Sequence, residues 1–409
     1  MKPRSAPGND RRAPSDAPAP RTPPLLADRD AGPLALILSG GGARGVFQIG
    51  VYKTLLEDPR GLGRAPDVIS GTSAGAVNGA LIAAGLAPEA MLDFWLDLAD
   101  DPPIVANDAF FGSLEGVIRE QLVREPLRAF AKRAREAKML VSLFRKHKWY
   151  ARSGLSAMAL EFFFTARFDT VSHALDGIQT PYLFDTSPLR DRLRKVLGGD
   201  SIRGSAVRLA INTVDVRTGS VIRIVNHRPE KSPRASSTHY RYEPEITLDM
   251  IMASAAIPVL FNPIVLDGQH LWDGGLLVNS PMAPAVALGA ARIVPVLVTV
   301  DGTPAKGSML GTFGNAIERL VDTFLENGYN VDRKLLLDRN ALAAEGRVDD
   351  LKVVQLFRAI RPQSSEVFNA GSYLYFDRRA MIAMYEAGRV AARAWLDQGP
   401  RIDRRELEG

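Results

Sequence analysis

Gly71-Thr72-Ser73-Ala74-Gly75 is the stretch that most limits what this chain can become. It follows the apolar pair Val68-Ile69 and runs into a small-residue pattern, Ala76 to Ala84, that suits a helix. A G-x-S-x-G segment in that setting predicts a strand, a sharp turn and a helix, with Ser73 at the apex. The turn brings backbone against the positions two residues either side of the serine, which is why Gly71 and Gly75 carry no side chain. Ser73 is the candidate nucleophile. In a chain with 35 glycines the pattern is short, and its surroundings have to decide.

Upstream, Leu34-Ala35-Leu36-Ile37-Leu38 is a continuous apolar run between Pro33 and Gly40. Such a run suits a parallel strand buried on both faces. Ser39-Gly40-Gly41-Gly42-Ala43-Arg44-Gly45 follows, and Val46 to Glu57 continues at helical spacing. Gly40, Gly42 and Gly45 also satisfy G-x-G-x-x-G, the dinucleotide-binding pattern. That use needs an acidic residue at the end of the second strand, where this chain has the serine turn instead. No Gly-Lys-Ser/Thr follows, so a P-loop fits less well still. The competing use is electrostatic: consecutive glycines let backbone N–H groups converge at a helix N-terminus, as an oxyanion hole requires. The candidate loop runs through Gly40, Gly41, Gly42, Ala43, Arg44 and Gly45.

The chain has no cysteine, which removes disulfides, thiolate metal sites and thiol nucleophiles. No run of about 18 apolar residues appears, and the first residues lack the apolar core of a signal peptide. The expected compartment is the cytoplasm. Residues 1–30, rich in Pro, Arg and Ala, are expected to form a disordered tail. From Arg119 to Arg152 there are eleven Lys/Arg against three Glu, an excess of eight where the whole chain carries only +5. Phe130, Phe144, Trp149 and Tyr150 interleave with these charges. Such a surface suits peripheral contact with an anionic membrane, or equally a solvated cap whose aromatics pack inward. No nucleic-acid partner is expected, and the oligomeric state is not readable.

Further along, Ser187 is the expected cap of a helix with Pro188 at its first position. Val207–Val214 and Val221–Val225 predict a strand pair about Arg217-Thr218-Gly219. A short helix from Leu248 stops before Pro258, and a strand through His270 ends at Asp273-Gly274-Gly275. Arg292 to Val300 predicts another central strand. Gly314–Leu337 and Arg378–Trp395 predict helices, with Leu351–Phe357 as a strand between them. An Asp-Gly-Gly turn is common by itself.

Taken together, Gly40 to Gly45, Gly71 to Gly75, Phe184 to Leu189, Ala253-Ser254-Ala255-Ala256-Ile257-Pro258 and Asp273-Gly274-Gly275 resemble the patatin-like phospholipase family in order and rough spacing. The resemblance implies a three-layer α/β/α sandwich around a mainly parallel sheet, acting as a lipid acyl hydrolase. It implies Ser73 as nucleophile and Asp273 as its partner in a Ser-Asp dyad, with Gly41 and Gly42 at the oxyanion hole and a lipid ester as substrate. No metal or organic cofactor is expected. The domain reading is a catalytic unit over residues 31–300 with a basic helical insertion at about 100–180, and a helical extension over 301–409. Three alternatives stay open: a Ser-His-Asp triad using His270 or His227, an acyltransferase working through the same acyl-enzyme, and an inactive membrane-binding adaptor.

Overall fold

The computed structural model describes residues 26–124 except 29, then 176, 178, 180–230, 240–300, 313–346, 351–363, and 367–403 except 369 and 375. Most of the basic segment Arg119–Arg152, with its aromatic residues, lies outside the described residues.

Leu34–Leu38 forms strand β1, and its alternation explains the architecture. All five residues are buried, yet Leu34, Leu36 and Leu38 join one apolar core while Ala35 and Ile37 join another. Side chains alternate across a strand, so two separate cores mean a sheet covered on both faces. Each fully buried Leu or Ile contributes about 1.5–3 kcal/mol relative to exposure.

From β1 the chain enters helix α1 (Gly45–Glu57), strand β2 (Val68–Thr72), helix α2 (Ala74–Ala83) and helix α3 (Pro88–Asp100). A two-residue ribbon follows, β3 (Val105–Ala106) with β4 (Phe184–Asp185), spanning helix α4 (Asp108–Arg124). Helix α5 (Ser187–Leu197) carries Pro in its first turn. The expected Ser187 cap is corrected here: Ser187 is already helical, and its N–H donates to the Asp185 carboxylate at 2.6 Å. Next come β5 (Ser201–Arg203), β6 (Arg208–Asp215), β7 (Val221–Val225), β8 (Tyr240–Tyr242) and β9 (Glu245–Thr247). Helix α6 (Leu248–Ser254), β10 (Ile264–Leu266), β11 (Gln269–Asp273), helix α7 (Met282–Ala287) and β12 (Arg292–Val296) lead to the last third. That third holds helix α8 (Phe313–Ala344), β13 (Gln355–Leu356) and helix α9 (Arg378–Asp397).

Among the described residues the main sheet has nine strands, running β10-β11-β6-β2-β1-β12-β13 with β7 and β8 attached beside β6. The run β6-β2-β1-β12-β13 is parallel throughout. One face is covered by α1, α2, α3, α6 and α9, the other by α7 and α8. From β1 the chain moves to β2 across the first face, while β12, on the other side of β1, is entered from the second face. The carboxyl end of β1 is therefore the switch point of the sheet, the place where open α/β folds bind ligands. The glycine loop stands there.

Two expectations shift. Leu26 is buried, and the Arg292 guanidinium donates to the carbonyls of Leu26, Asp28 and Gly32, so the packed domain begins before residue 30. The strand expected over Leu351–Phe357 shortens to Gln355–Leu356. It pairs with Arg292 and Ile293 of β12 and so belongs to the main sheet.

Candidate active site

Ser73 follows the last residue of β2 and caps α2, with φ 55° and ψ −125°. A non-glycine residue in that region costs on the order of 1–3 kcal/mol, so its surroundings have to impose it. A Cβ on Gly71 would lie 2.3 Å from the Gly75 carbonyl oxygen, and one on Gly75 would lie 2.1 Å from the Leu38 carbonyl oxygen. Neither position tolerates a side chain, as the sequence pattern requires. The turn is fastened by hydrogen bonds from distant segments. The Ser73 N–H donates to Ser254 Oγ at 3.0 Å, and Ser254 Oγ donates to the Asn212 carbonyl at 2.6 Å. Asn212 Nδ2 donates to the Gly71 carbonyl at 2.8 Å, and Thr72 Oγ1 to the Val278 carbonyl at 2.8 Å.

Asp273 reaches Ser73 because of an unusual sharing of β6. Val214 of β6 pairs with Val221 on one side and Trp272 on the other, so β7 takes one whole edge. The opposite edge is divided: β2 occupies Arg208 to Asn212 and β11 occupies Thr213 to Asp215. Thr72 faces Asn212 and Asp273 faces Thr213, so the two strands meet end to end with Ser73 and Asp273 at the junction. The Ser73 hydroxyl stands close enough to the Asp273 carboxylate to favour its charged form, and Oδ1 of Asp273 accepts from the Gly275 N–H at 2.7 Å. Asp273 is 4% exposed. Burial pushes its carboxyl up from an ordinary 3.8 to about 6, against the opposing pull of the Ser73 hydroxyl and the Gly275 N–H.

The glycine loop lies directly over this junction, since a Cβ on Gly40 would come within 3.1 Å of Ser73 Cβ. The Gly40 N–H is occupied: it donates to Asn279, 3.0 Å from the side-chain oxygen and 3.3 Å from the carbonyl. The N–H groups of Gly41 and Gly42 have no acceptor among the described residues. Gly42 has φ 55° and lines the same pocket as Ser73. Ala43 is buried, and Gly45 opens α1. The Arg44 side chain is fully buried, bonded to Ser372 and Asp322 in the carboxy-terminal third. The pocket itself is walled by apolar side chains, among them Val77, Trp95, Ile257 and Phe261.

The histidines considered as partners stand elsewhere. His270 is exposed on β11, at odd spacing from buried Asp273. His227 lies beside Arg208, at the opposite end of β6 from Thr213. His147, His173 and His239 lie outside the described residues. Among the described residues no three His, Asp or Glu side chains gather as metal ligands, and no helix is long and apolar enough to cross a membrane.

The model of the patatin-like phospholipase family matches residues 36–286, a span that contains the glycine loop, Ser73 and Asp273. This chain belongs to the patatin-like phospholipase family. Over 50 residues it is 54% identical to lysophospholipase nte1 of Aspergillus terreus; that stretch is 12% of this chain and 3% of the longer protein. Among solved structures it is similar to VipD from Legionella pneumophila, with 13% identity, a TM-score of 0.35, and coverage of 91% of this chain and 68% of that one. The patatin-like match ends inside α7, so β12, α8, β13 and α9 lie beyond it although two of them are strands of the same sheet. Asn212, Ser254 and Asn279 are the side chains that hold the serine turn and the glycine loop. Asn212 had a visible signal, an amide in the apolar run Leu209 to Val214, where a buried polar group has to find partners. Asn279 had none beyond its place shortly after Asp-Gly-Gly.

Proposed function

We propose that the protein is a lipid acyl hydrolase, of phospholipase A or lysophospholipase type, working through an acyl-enzyme on Ser73. The ionised Asp273 carboxylate takes the Ser73 proton as Oγ attacks the ester carbonyl carbon. Negative charge then develops on the carbonyl oxygen, where the unoccupied N–H groups of Gly41 and Gly42 stabilise it. Collapse breaks the bond to the leaving alkoxide, which receives the proton from Asp273. Water repeats the cycle: Asp273 takes its proton, hydroxide attacks the acyl carbon, and Ser73 leaves with the proton returned. A carboxylate held up to about 6 is ionised at neutral pH and still basic enough to accept a proton in passing. An alkoxide leaves more readily than an amine, so esters suit this dyad better than amides.

The observation that carries the reading is the meeting of the strand ends that bear Ser73 and Asp273 at the junction of β2 and β11. The short stretch shared with a protein named as a lysophospholipase supports the lipid substrate class. Contact with anionic membrane through the Arg119–Arg152 segment belongs to the same proposal. The test is mass-spectrometric product analysis over phospholipids, lysophospholipids and neutral glycerides. Free fatty acid is expected from at least one class, with kcat reduced by roughly 10³-fold or more in Ser73→Ala. Undiminished release by that variant contradicts the reading.

A further inference from the structure

The pocket beside Ser73 is not built from the family-matched span alone. Leu374 and Phe376, nearly ninety positions beyond the end of the match at residue 286, line it together with Gly42, Ser73 and Trp95. We propose that these two side chains are the acyl-length selector of the enzyme, closing the end of the chain pocket so that short acyl groups are favoured over long ones. The proposal rests on the acyl-hydrolase reading above and deepens it.

The floor they stand on is rigid. Trp95 donates its indole N–H to Asn78 Oδ1 at 2.8 Å, and Asn78 in turn donates to the Gly45 carbonyl at 2.8 Å and to Gln48 Oε1 at 2.9 Å. An indole pinned in this way cannot swing aside for a longer chain. The Phe376 ring stacks on it, centroids 6.4 Å apart and planes within 8°, and Phe376 belongs to the main core. Leu374 packs instead against the separate cluster of Phe110, Leu183, Phe184 and Phe261. The pocket as a whole has a volume of about 50 Å³. Ligand pockets ordinarily run to roughly 300–1,000 Å³, so this one holds only the first few carbons of an acyl chain.

The wall is also fixed relative to the reacting atoms. Tyr373 presses its carbonyl so close to the glycine loop that a Cβ on Gly42 would lie 2.0 Å from that oxygen. Arg44, two residues on, donates from Nε to Ser372 Oγ at 2.8 Å and lays its guanidinium 3.7 Å from the centre of the Tyr373 ring. Asp322 of α8 accepts from Arg44 at 3.1 Å and from the Tyr373 hydroxyl. A segment clamped to the oxyanion loop from both sides carries Leu374 at the next position. Chain length is therefore measured from Ser73 against a wall tied to the same loop.

The test compares kcat/KM for p-nitrophenyl esters from butyrate to palmitate in wild type, Leu374→Ala, Phe376→Leu and Leu374→Trp. The expected result is a long-to-short ratio that rises by roughly tenfold in the first two variants, as about two further methylenes enter the pocket, and falls in the third. Leu374 is only half-buried, so its variants keep the test alive if substitution of Phe376 prevents folding. An unchanged ratio in both Leu374 variants overturns the selector and leaves the hydrolase standing. Turnover that survives Ser73→Ala overturns the hydrolase instead. In that case the thermal shifts produced by free fatty acids from butyrate to palmitate, which need no turnover, still decide the pocket. Identical shifts in wild type and Leu374→Ala overturn it, and a maximum moved to longer acids in Leu374→Ala supports it.

Discussion

Ionising Asp273 inside the protein costs solvation energy, and the Ser73 hydroxyl and the Gly275 N–H return only part of it. The sign of the consequence is fixed. The folded protein holds the proton up to about pH 6 while the unfolded chain releases it near 3.8, so the folded state loses stability as pH rises through that window. The loss at neutral pH is on the order of 3 kcal/mol. Asp273→Asn keeps an acceptor for Gly275 and removes the charge, so denaturant unfolding at pH 7 should find it more stable than wild type. The gain should vanish once the pH falls below the carboxyl's ordinary value. Activity runs the other way, since the base works ionised: kcat/KM should fall with a limb near pH 6 and be lost in Asp273→Asn. An ordinary carboxylate would titrate well below a histidine, but burial brings Asp273 into the histidine range, so limb position alone does not separate a dyad from a triad. Measuring the limb in His270→Gln and His227→Gln does separate them, and it should persist in both.

At the scale of elements, the site is two strand ends brought nose to nose on one edge of β6, and a strained serine turn held in place from elsewhere. Ser254→Ala leaves the Ser73 N–H and the Asn212 carbonyl without their partner. Stability should fall by about 1–3 kcal/mol, read by urea unfolding. Because the lost bond fixes the nucleophile, kcat should drop more than KM rises. The serine turn and the glycine loop were legible in the sequence because backbone geometry dictates their residues: the turn demands Gly71 and Gly75, and the loop demands close approach, whereas Asp273 was singled out only by the family resemblance. Ser254, Asn212 and Asn279 were not legible in their roles, because each acts on a segment far away in the chain. Hydrogen bonds of that kind leave no periodic trace, and only the lone amide in an apolar strand gave notice of one.

Across the whole molecule, the carboxy-terminal third is part of the packed core. Gly50 of α1 and Gly388 of α9 face each other's helices, where a Cβ would lie 2.0 Å from the Tyr385 carbonyl oxygen and 2.1 Å from that of Phe47. Met381, Met384, Ala392 and Leu396 of α9 are buried in the main core, and β13 completes the sheet beside β12. A chain ending at residue 300 uncovers that core, and it should lose its near-ultraviolet circular dichroism or fail to remain in solution. A truncated protein with native spectra would show the last third to be dispensable. The helices of this region were readable from their spacing. That the region also finishes the sheet and walls the pocket beside Ser73 was not, because the two-residue strand Gln355–Leu356 is too short to show a pattern and Arg44 gives no hint in sequence of where its side chain goes.

Acylation of Ser73 with Asp273 as its base is tested by peptide-resolved mass spectrometry of protein quenched during turnover of a p-nitrophenyl ester. A single acyl group is predicted on the peptide containing Ser73, absent from Ser73→Ala, and formed on the order of 10²-fold more slowly or worse in Asp273→Asn. An acyl group on any other residue, or acylation of Asp273→Asn at the wild-type rate, would contradict it.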